Sequence, residues 1–311
     1  MKNLRVKVVA LLALGLLGLA AGLAVAEGQK GGSGTAAHTQ TVGGGTTART
    51  EEPAKPSTGP RPAPIVFRPH YLSPSTAVPL LIALHPSGDT PADWRQETKF
   101  NTLARQYGFV VAYLGSLPAP GHRPGAGPAW RKVDEQRNMA YIGSEITSLI
   151  KAENIDPKRV YVMGFSAGGT MTFEVACTFS SRIAGIAVVS GAMITTFPCH
   201  LTHPMSEIEI IGTKDLIPYQ GRGNGLSVFQ VAARFRALNG CAHAAAHQAT
   251  VGAAQTTTWG PCKNNTGVSL NLIVGGRHHY PGEHYPTPLP ADTNFPASQV
   301  IWNFFATHPG S

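Results

Sequence analysis

Cysteine is scarce in this chain. Four in 311 residues are too few for a fold that depends on a disulfide scaffold. Acidic residues are also few, 17 against 25 Lys plus Arg. Three of the basic residues, Lys2, Arg5 and Lys7, fall within the first 26 positions, so the remainder carries 22 against 17. That is a mildly cationic, solvated surface with no Lys/Arg block, and nucleic-acid binding is not expected. No His-Glu-x-x-His run and no cysteine-ligand spacing is present, which removes the usual zinc signatures. Neither a metal nor an organic cofactor is expected. No separate carbohydrate- or polyester-binding module stands out.

What is present begins with a leader. Lys2, Arg5 and Lys7 precede an apolar run from Val8 to Ala26 that closes on Ala24-Val25-Ala26, before polar Glu27. This pattern reads as a secretory signal peptide over residues 1–26. The run is nearly long enough to span a bilayer, so an uncleaved anchor is the rival reading. A secreted protein without stable membrane association is expected. Residues 27–62 are rich in Gly, Ser, Thr, Ala and Pro, cannot bury a core, and read as a flexible linker.

Residues 63–311 alternate apolar strands with amphipathic helices. Strands are expected at 80–84, 109–113, 160–163, 183–190, 208–212 and 269–274. Helices are expected at 93–107, 138–152, 226–238 and 298–306, with a further one following the 160–163 strand. Such alternation predicts one α/β domain, a mostly parallel sheet covered by helices on both faces.

Chemistry concentrates in Gly164-Phe165-Ser166-Ala167-Gly168-Gly169, between the Val160–Met163 strand and a helical segment. Gly-x-Ser-x-Gly in strand–turn–helix context is a nucleophile elbow. The glycines permit a turn that lifts the Ser166 hydroxyl clear of the sheet, and the following helix aims its positive end at the same spot. A serine hydroxyl needs a base, and the base needs an orienting acid. The acids between Ser166 and the late histidines are Glu174, Glu207, Glu209 and Asp215. Glu174 lies on the elbow helix, and Glu207 and Glu209 enter a strand far from the chemistry. Asp215 follows that strand's C-terminal end, where open α/β sheets place their sites. Among the later histidines, His278 follows a strand and a run of small residues. It is the expected base, with His279 the alternative. His243 and His247 read as a solvated pair in a loop-like stretch, and a zinc site from His278, His279 and His284 lacks a supporting motif. Two N–H donors should hold an oxyanion. Ala167 supplies one. The loop His85-Pro86-Ser87-Gly88-Asp89 supplies the other, from Ser87 or else Gly88, because Pro86 has no N–H.

On these residues the chain resembles the esterase/polyhydroxybutyrate depolymerase family, relatives of the feruloyl and acetylxylan esterases of carbohydrate esterase family 1. The matching runs are Leu84 to Asp89, Ile155 to Gly169, Gly212 to Tyr219, Gly275 to Gly282 and Ile301 to Pro309. The resemblance implies an α/β-hydrolase domain and a Ser166–Asp215–His278 triad. It also implies a carboxylic ester as the partner, feruloyl or acetyl esters of polysaccharide or short polyhydroxyalkanoates, and substrate contacts from His85, Phe165, Tyr219 and Tyr280. It further implies Cys177–Cys199 and Cys241–Cys262 pairing. Pro86, Arg277 and Tyr280 stand where the family usually has Gly, Gly and Trp. A peptidase, or a silent polysaccharide- or polyester-binding protein on the same fold, is the alternative.

Overall fold

The structure is a computed structural model and describes residues 59–118, 129–130, 132–241, 246–282 and 294–310. The expected leader, the linker up to residue 58, His243 and His284 lie outside the described residues.

Among the described residues nine strands form one sheet in the order β1-β3-β2-β4-β5-β6-β9-β8-β7. The strands are β1 (Ile65–Phe67), β2 (Val78–Leu84), β3 (Val110–Leu114), β4 (Ile155–Phe165), β5 (Gly185–Val189), β6 (Ser206–Gly212), β7 (Ala246–Val251), β8 (Ala254–Trp259) and β9 (Val268–Ile273). From β3 through β9 every neighbouring pair is parallel; β1, β8 and β7 add antiparallel at the two edges. Parallel strands are covered on both faces, so their apolar runs are continuous rather than alternating. Leu80, Leu81, Ile82 and Leu84 are accordingly all fully buried. Each contributes about 1.5–3 kcal/mol relative to exposure.

Among the described residues seven α-helices flank the sheet: α1 (Pro91–Thr98), α2 (Phe100–Tyr107), α3 (Glu135–Ala152), α4 (Ala167–Phe179), α5 (Leu216–Gln220), α6 (Val228–Leu238) and α7 (Ala297–Thr307). Ile142 and Ile146 of α3, Phe173 of α4 and Phe235 of α6 fill one face with Ile82 and Val162. Trp94 of α1, Phe100 of α2 and Trp302 and Phe305 of α7 fill the other with Leu81 and Tyr161. The cysteines are joined as Cys177–Cys199, with Cα atoms 4.7 Å apart, and Cys241–Cys262, at 4.9 Å.

Several elements depart from expectation. The 93–107 helix is two helices, broken at Lys99 in the left-handed region with φ 56°. No glycine or proline marks the break. Instead the Ser298 hydroxyl donates to the Thr98 carbonyl at 2.5 Å, taking an acceptor that the helix would otherwise use. Helix α3 starts three residues before Asn138, which is buried inside it and accepts from Arg61. Arg61, on the linker side of the expected boundary, also donates to the Gly115 carbonyl and stacks over Tyr141. The loop-like stretch around His247 is the β7–β8 hairpin, and His247 is exposed on it. All six β7 residues are exposed, so no apolar alternation announces the strand.

Candidate active site

The elbow forms where β4 ends. Ser166 has φ 55° and ψ −118°, a conformation L-residues rarely adopt and hold only when the surroundings impose it. Its N–H is tied to the Val189 carbonyl at 2.9 Å, and its carbonyl accepts from Thr170 at 3.0 Å as α4 begins. A Cβ at Gly164 would collide with the Gly168 carbonyl, and one at Gly168 with the Leu84 carbonyl. The turn is therefore closed to side chains on both sides of the serine. Thirteen residues of α4 follow, so a full helix directs its N-terminal amides at the Ser166 side chain.

Asp215 and His278 come from adjacent strands joined backbone to backbone. The Lys214 N–H donates to the Gly276 carbonyl at 2.8 Å, the Thr213 N–H to Ile273 at 3.0 Å, and the Gly275 N–H to the Thr213 hydroxyl at 2.9 Å. Gly212 permits this approach: a Cβ there would strike the Gly276 carbonyl. The loops after β6 and β9 are thus held in fixed register. The result is a continuous relay. His278 Nε2 lies 2.8 Å from Ser166 Oγ, and His278 Nδ1 lies 2.7 Å from Asp215 Oδ2. An ionised carboxylate accepts only, so Nδ1 carries the proton and Nε2 is free to take one from the serine. Asp215 is 7% exposed, whereas half of the His278 side chain is open to solvent. The carboxylate is shielded and the imidazole is accessible. His279, the alternative, donates its backbone N–H to the Arg277 carbonyl, and its ring is not part of the relay. Among the described residues no group of three potential metal ligands occurs.

Of the expected substrate contacts, His85 and Tyr280 are turned into the interior. His85 is fully buried. Its Nδ1 donates to the Pro86 carbonyl at 2.7 Å and its Nε2 accepts from the Ser116 N–H at 3.1 Å. Both nitrogens are committed only in the neutral ring, and burial pushes its pKa down to about 4. The Trp130 ring lies tilted against it, 5.4 Å between centroids, and donates its indole N–H to the His85 carbonyl at 3.0 Å. His85 is thus a buried clamp that fixes the start of the loop after β2, and it does not face a substrate. Tyr280 is also buried, its hydroxyl 2.8 Å from Ser298 Oγ and its ring edge-on to Trp94 at 5.0 Å. Phe165 is buried between Trp94 and the imidazole of His278, its ring 5.2 Å from the latter. Both belong to an aromatic wall that backs the base. Tyr219, on α5, is half-buried against Phe229. Ser87 is exposed and Ala167 half-buried, at the ends of β2 and β4, which are paired in register through Leu84 and Gly164. Trp130 and Ser116 carried no signal in the sequence, because their roles depend on a partner 45 and 31 residues away.

Replacing His85 with Leu should free this loop. The expected result is a fall in kcat of about 10²-fold, the size of a lost oxyanion donor, with KM little changed. Steady-state kinetics on a nitrophenyl ester reads it.

Residues 68–253, more than half the chain, match the family model described as Esterase PHB depolymerase. The bifunctional acetylxylan esterase/xylanase XynS20E of Neocallimastix patriciarum is 28% identical over 244 residues, 77% of this chain and 32% of that protein. Feruloyl esterase B of Piromyces equi is 28% identical over 229 residues, 69% of this chain and 42% of that protein. The chain thus spans less than half the length of either relative. Among solved structures, the acetyl xylan esterase from Aspergillus awamori aligns with a TM-score of 0.52 at 18% identity, over 69% of this chain and 88% of that one. The shared fold is that of the α/β-hydrolases.

Proposed function

The chain belongs to the Esterase PHB depolymerase family, and from that premise we propose that it is a secreted serine esterase. The observation that carries the reading is the unbroken Ser166–His278–Asp215 relay, with Ser166 on a strained elbow at a helix N-terminus. His278 takes the Ser166 proton as Oγ attacks the ester carbonyl. The N–H groups of Ala167 and Ser87 receive the oxyanion. The intermediate collapses, the leaving alkoxide takes the proton from His278, and an acyl-Ser166 remains. Water, deprotonated by His278, then releases the acid. Each oxyanion donor is worth about 3 kcal/mol in the transition state.

Acetyl or feruloyl esters of polysaccharide are the substrates favoured by the names of the relatives, and short polyhydroxyalkanoate esters by the name of the family. Export fits the basic-then-apolar leader and the two disulfides. The described residues contain no helix long and apolar enough to cross a membrane. A panel of methyl ferulate, acetylated xylan and hydroxybutyrate oligomers tests the substrate. One member should be turned over with kcat/KM above about 10⁴ M⁻¹s⁻¹. Hydrolysis of none of them would contradict the proposal.

A further inference from the structure

Arg61 lies just ahead of β1, in a segment packed against the loop that follows β3. Gly115 lets that segment come close: a Cβ there would meet the Pro62 carbonyl oxygen at 2.9 Å. The half-buried guanidinium gives one N–H to the Gly115 carbonyl at 2.8 Å and another to Asn138 Oδ1 at 2.9 Å. It sits over the rings of Tyr141 and Trp130, 4.1 Å and 6.0 Å from their centres. Both of its acceptors are neutral, so neither cancels its charge.

The Gly115 carbonyl shares one planar peptide group with the Ser116 N–H. That N–H donates to His85 Nε2 at 3.1 Å. Nε2 accepts in the neutral ring only when the proton is on Nδ1, and Nδ1 donates to the Pro86 carbonyl at 2.7 Å. The Pro86 carbonyl in turn shares its peptide group with the Ser87 N–H. Guanidinium, peptide 115–116, imidazole and peptide 86–87 therefore stand head to tail, every donor pointing from Arg61 towards Ser87. A bond accepted at a peptide oxygen polarises the N–H on the far side of that peptide, and buried series of this kind strengthen by about 10–30% per bond. Trp130 braces the series from the side through its bond to the His85 carbonyl.

We propose that Arg61 is a positioning residue for the esterase site. Through peptide 115–116 and His85 it holds and polarises peptide 86–87, so that the Ser87 N–H, rather than that of Gly88, is the second oxyanion donor. This rests on the esterase reading above. The oxyanion exists in the transition state and not in the bound ester, so loss of Arg61 falls on kcat and spares KM.

The test joins steady-state kinetics on 4-nitrophenyl acetate to nitrogen NMR of histidine-labelled protein. Arg61→Met should lower kcat by about tenfold, part of the roughly 10²-fold loss of a whole donor, with KM changed by less than about twofold. Arg61→Lys keeps a charged donor for the Gly115 carbonyl and should recover kcat to within about threefold of wild type. In a His85→Leu background the series is already cut, and Arg61→Met should change kcat by less than about twofold. A merely structural Arg61 would show no such split between kcat and KM, and its effect would add to that of His85→Leu. In the wild type, His85 should carry its proton on Nδ1 at every pH from about 5 to 8. A proton on Nε2 would break the series and overturn the proposal even if Arg61→Met does not fold. Wild-type kcat in Arg61→Met, or a full further loss in the His85→Leu background, overturns it as well and leaves the esterase reading standing. No turnover by the wild type would overturn the esterase reading, and the role of Arg61 with it, while the Nδ1 proton would still report the hydrogen-bonded series.

Discussion

Ser166→Ala should lower kcat on 4-nitrophenyl acetate by about 10⁶-fold, the loss seen when a serine hydrolase gives up its nucleophile. The hydroxyl has one function in the structure. Among the described residues its one side-chain partner is His278 Nε2, at 2.8 Å, whereas the elbow backbone is held by the Val189 and Thr170 bonds, which alanine keeps. Folding should therefore be untouched, with a melting temperature within about 2 °C of wild type, since substitutions that break no buried contact stay within about 0.5 kcal/mol. This pairing separates an enzyme from a silent binding protein on the same fold. In a binding protein the substitution would leave every measured property unchanged.

Stability should fall as pH rises, and two residues outside the site should cause most of it. Glu207 and Glu209 stand two apart on β6, on the face beneath α6, and neither is more than 1% exposed. They pair with Ile186 and Val188 on one side and with Val268 and Leu270 on the other. Among the described residues, both oxygens of Glu207 and one of Glu209 have no hydrogen-bond partner. Burial drives both acids well above the ordinary carboxylate range, and the charge of Glu207 adds to the shift of Glu209. The folded chain therefore holds protons that the unfolded chain gives up. Below the ordinary carboxylate range, near pH 4, both states are protonated and no ionisation penalty exists. As pH climbs above it, the unfolded state releases protons and the folded state is progressively disfavoured. Glu207→Met and Glu209→Met remove an unsatisfied buried carboxyl without emptying the core. Each should stabilise by about 1–3 kcal/mol at neutral pH, with a larger gain at pH 8 than at pH 5. That corresponds to roughly 2–4 °C per kcal/mol in the melting temperature. Melting curves at three pH values decide it. A wild-type melting temperature that rises from pH 5 to pH 8, or equal gains at all three, would contradict the account.

The parts of the fold that could be read from sequence are those where backbone geometry permits few residue types. The elbow shows because Gly164 and Gly168 tolerate no side chain. The position of His278 shows because Gly212 and Gly276 let two loops touch, and small residues mark both. The parallel strands show because burial on both faces leaves continuous apolar runs.

What was hidden depends on partners distant in sequence. Lys99 breaks a helix whose local pattern is continuous, because Ser298, two hundred residues on, takes a carbonyl. His85 sits in a motif that suggests contact with substrate, yet Ser116 and Trp130 make it a buried clamp. Tyr280 replaces an expected groove residue and turns inward to Ser298. The β7–β8 hairpin carries Gln and Thr on an exposed edge and lacks the apolar rhythm that marks a half-buried strand. Glu207 and Glu209 were legible as strand residues, but not as buried acids, since carboxyls are almost never fully buried unless paired.

The most direct measurement is labelling with a fluorophosphonate, followed by peptide mapping. Covalent phosphonylation requires a serine whose proton is removed by a neighbouring base, and it needs no knowledge of the natural ester. The account predicts a single adduct on the peptide containing Ser166, lost in Ser166→Ala and slowed by orders of magnitude in His278→Ala. An adduct on another serine, or no adduct on folded protein, would contradict it.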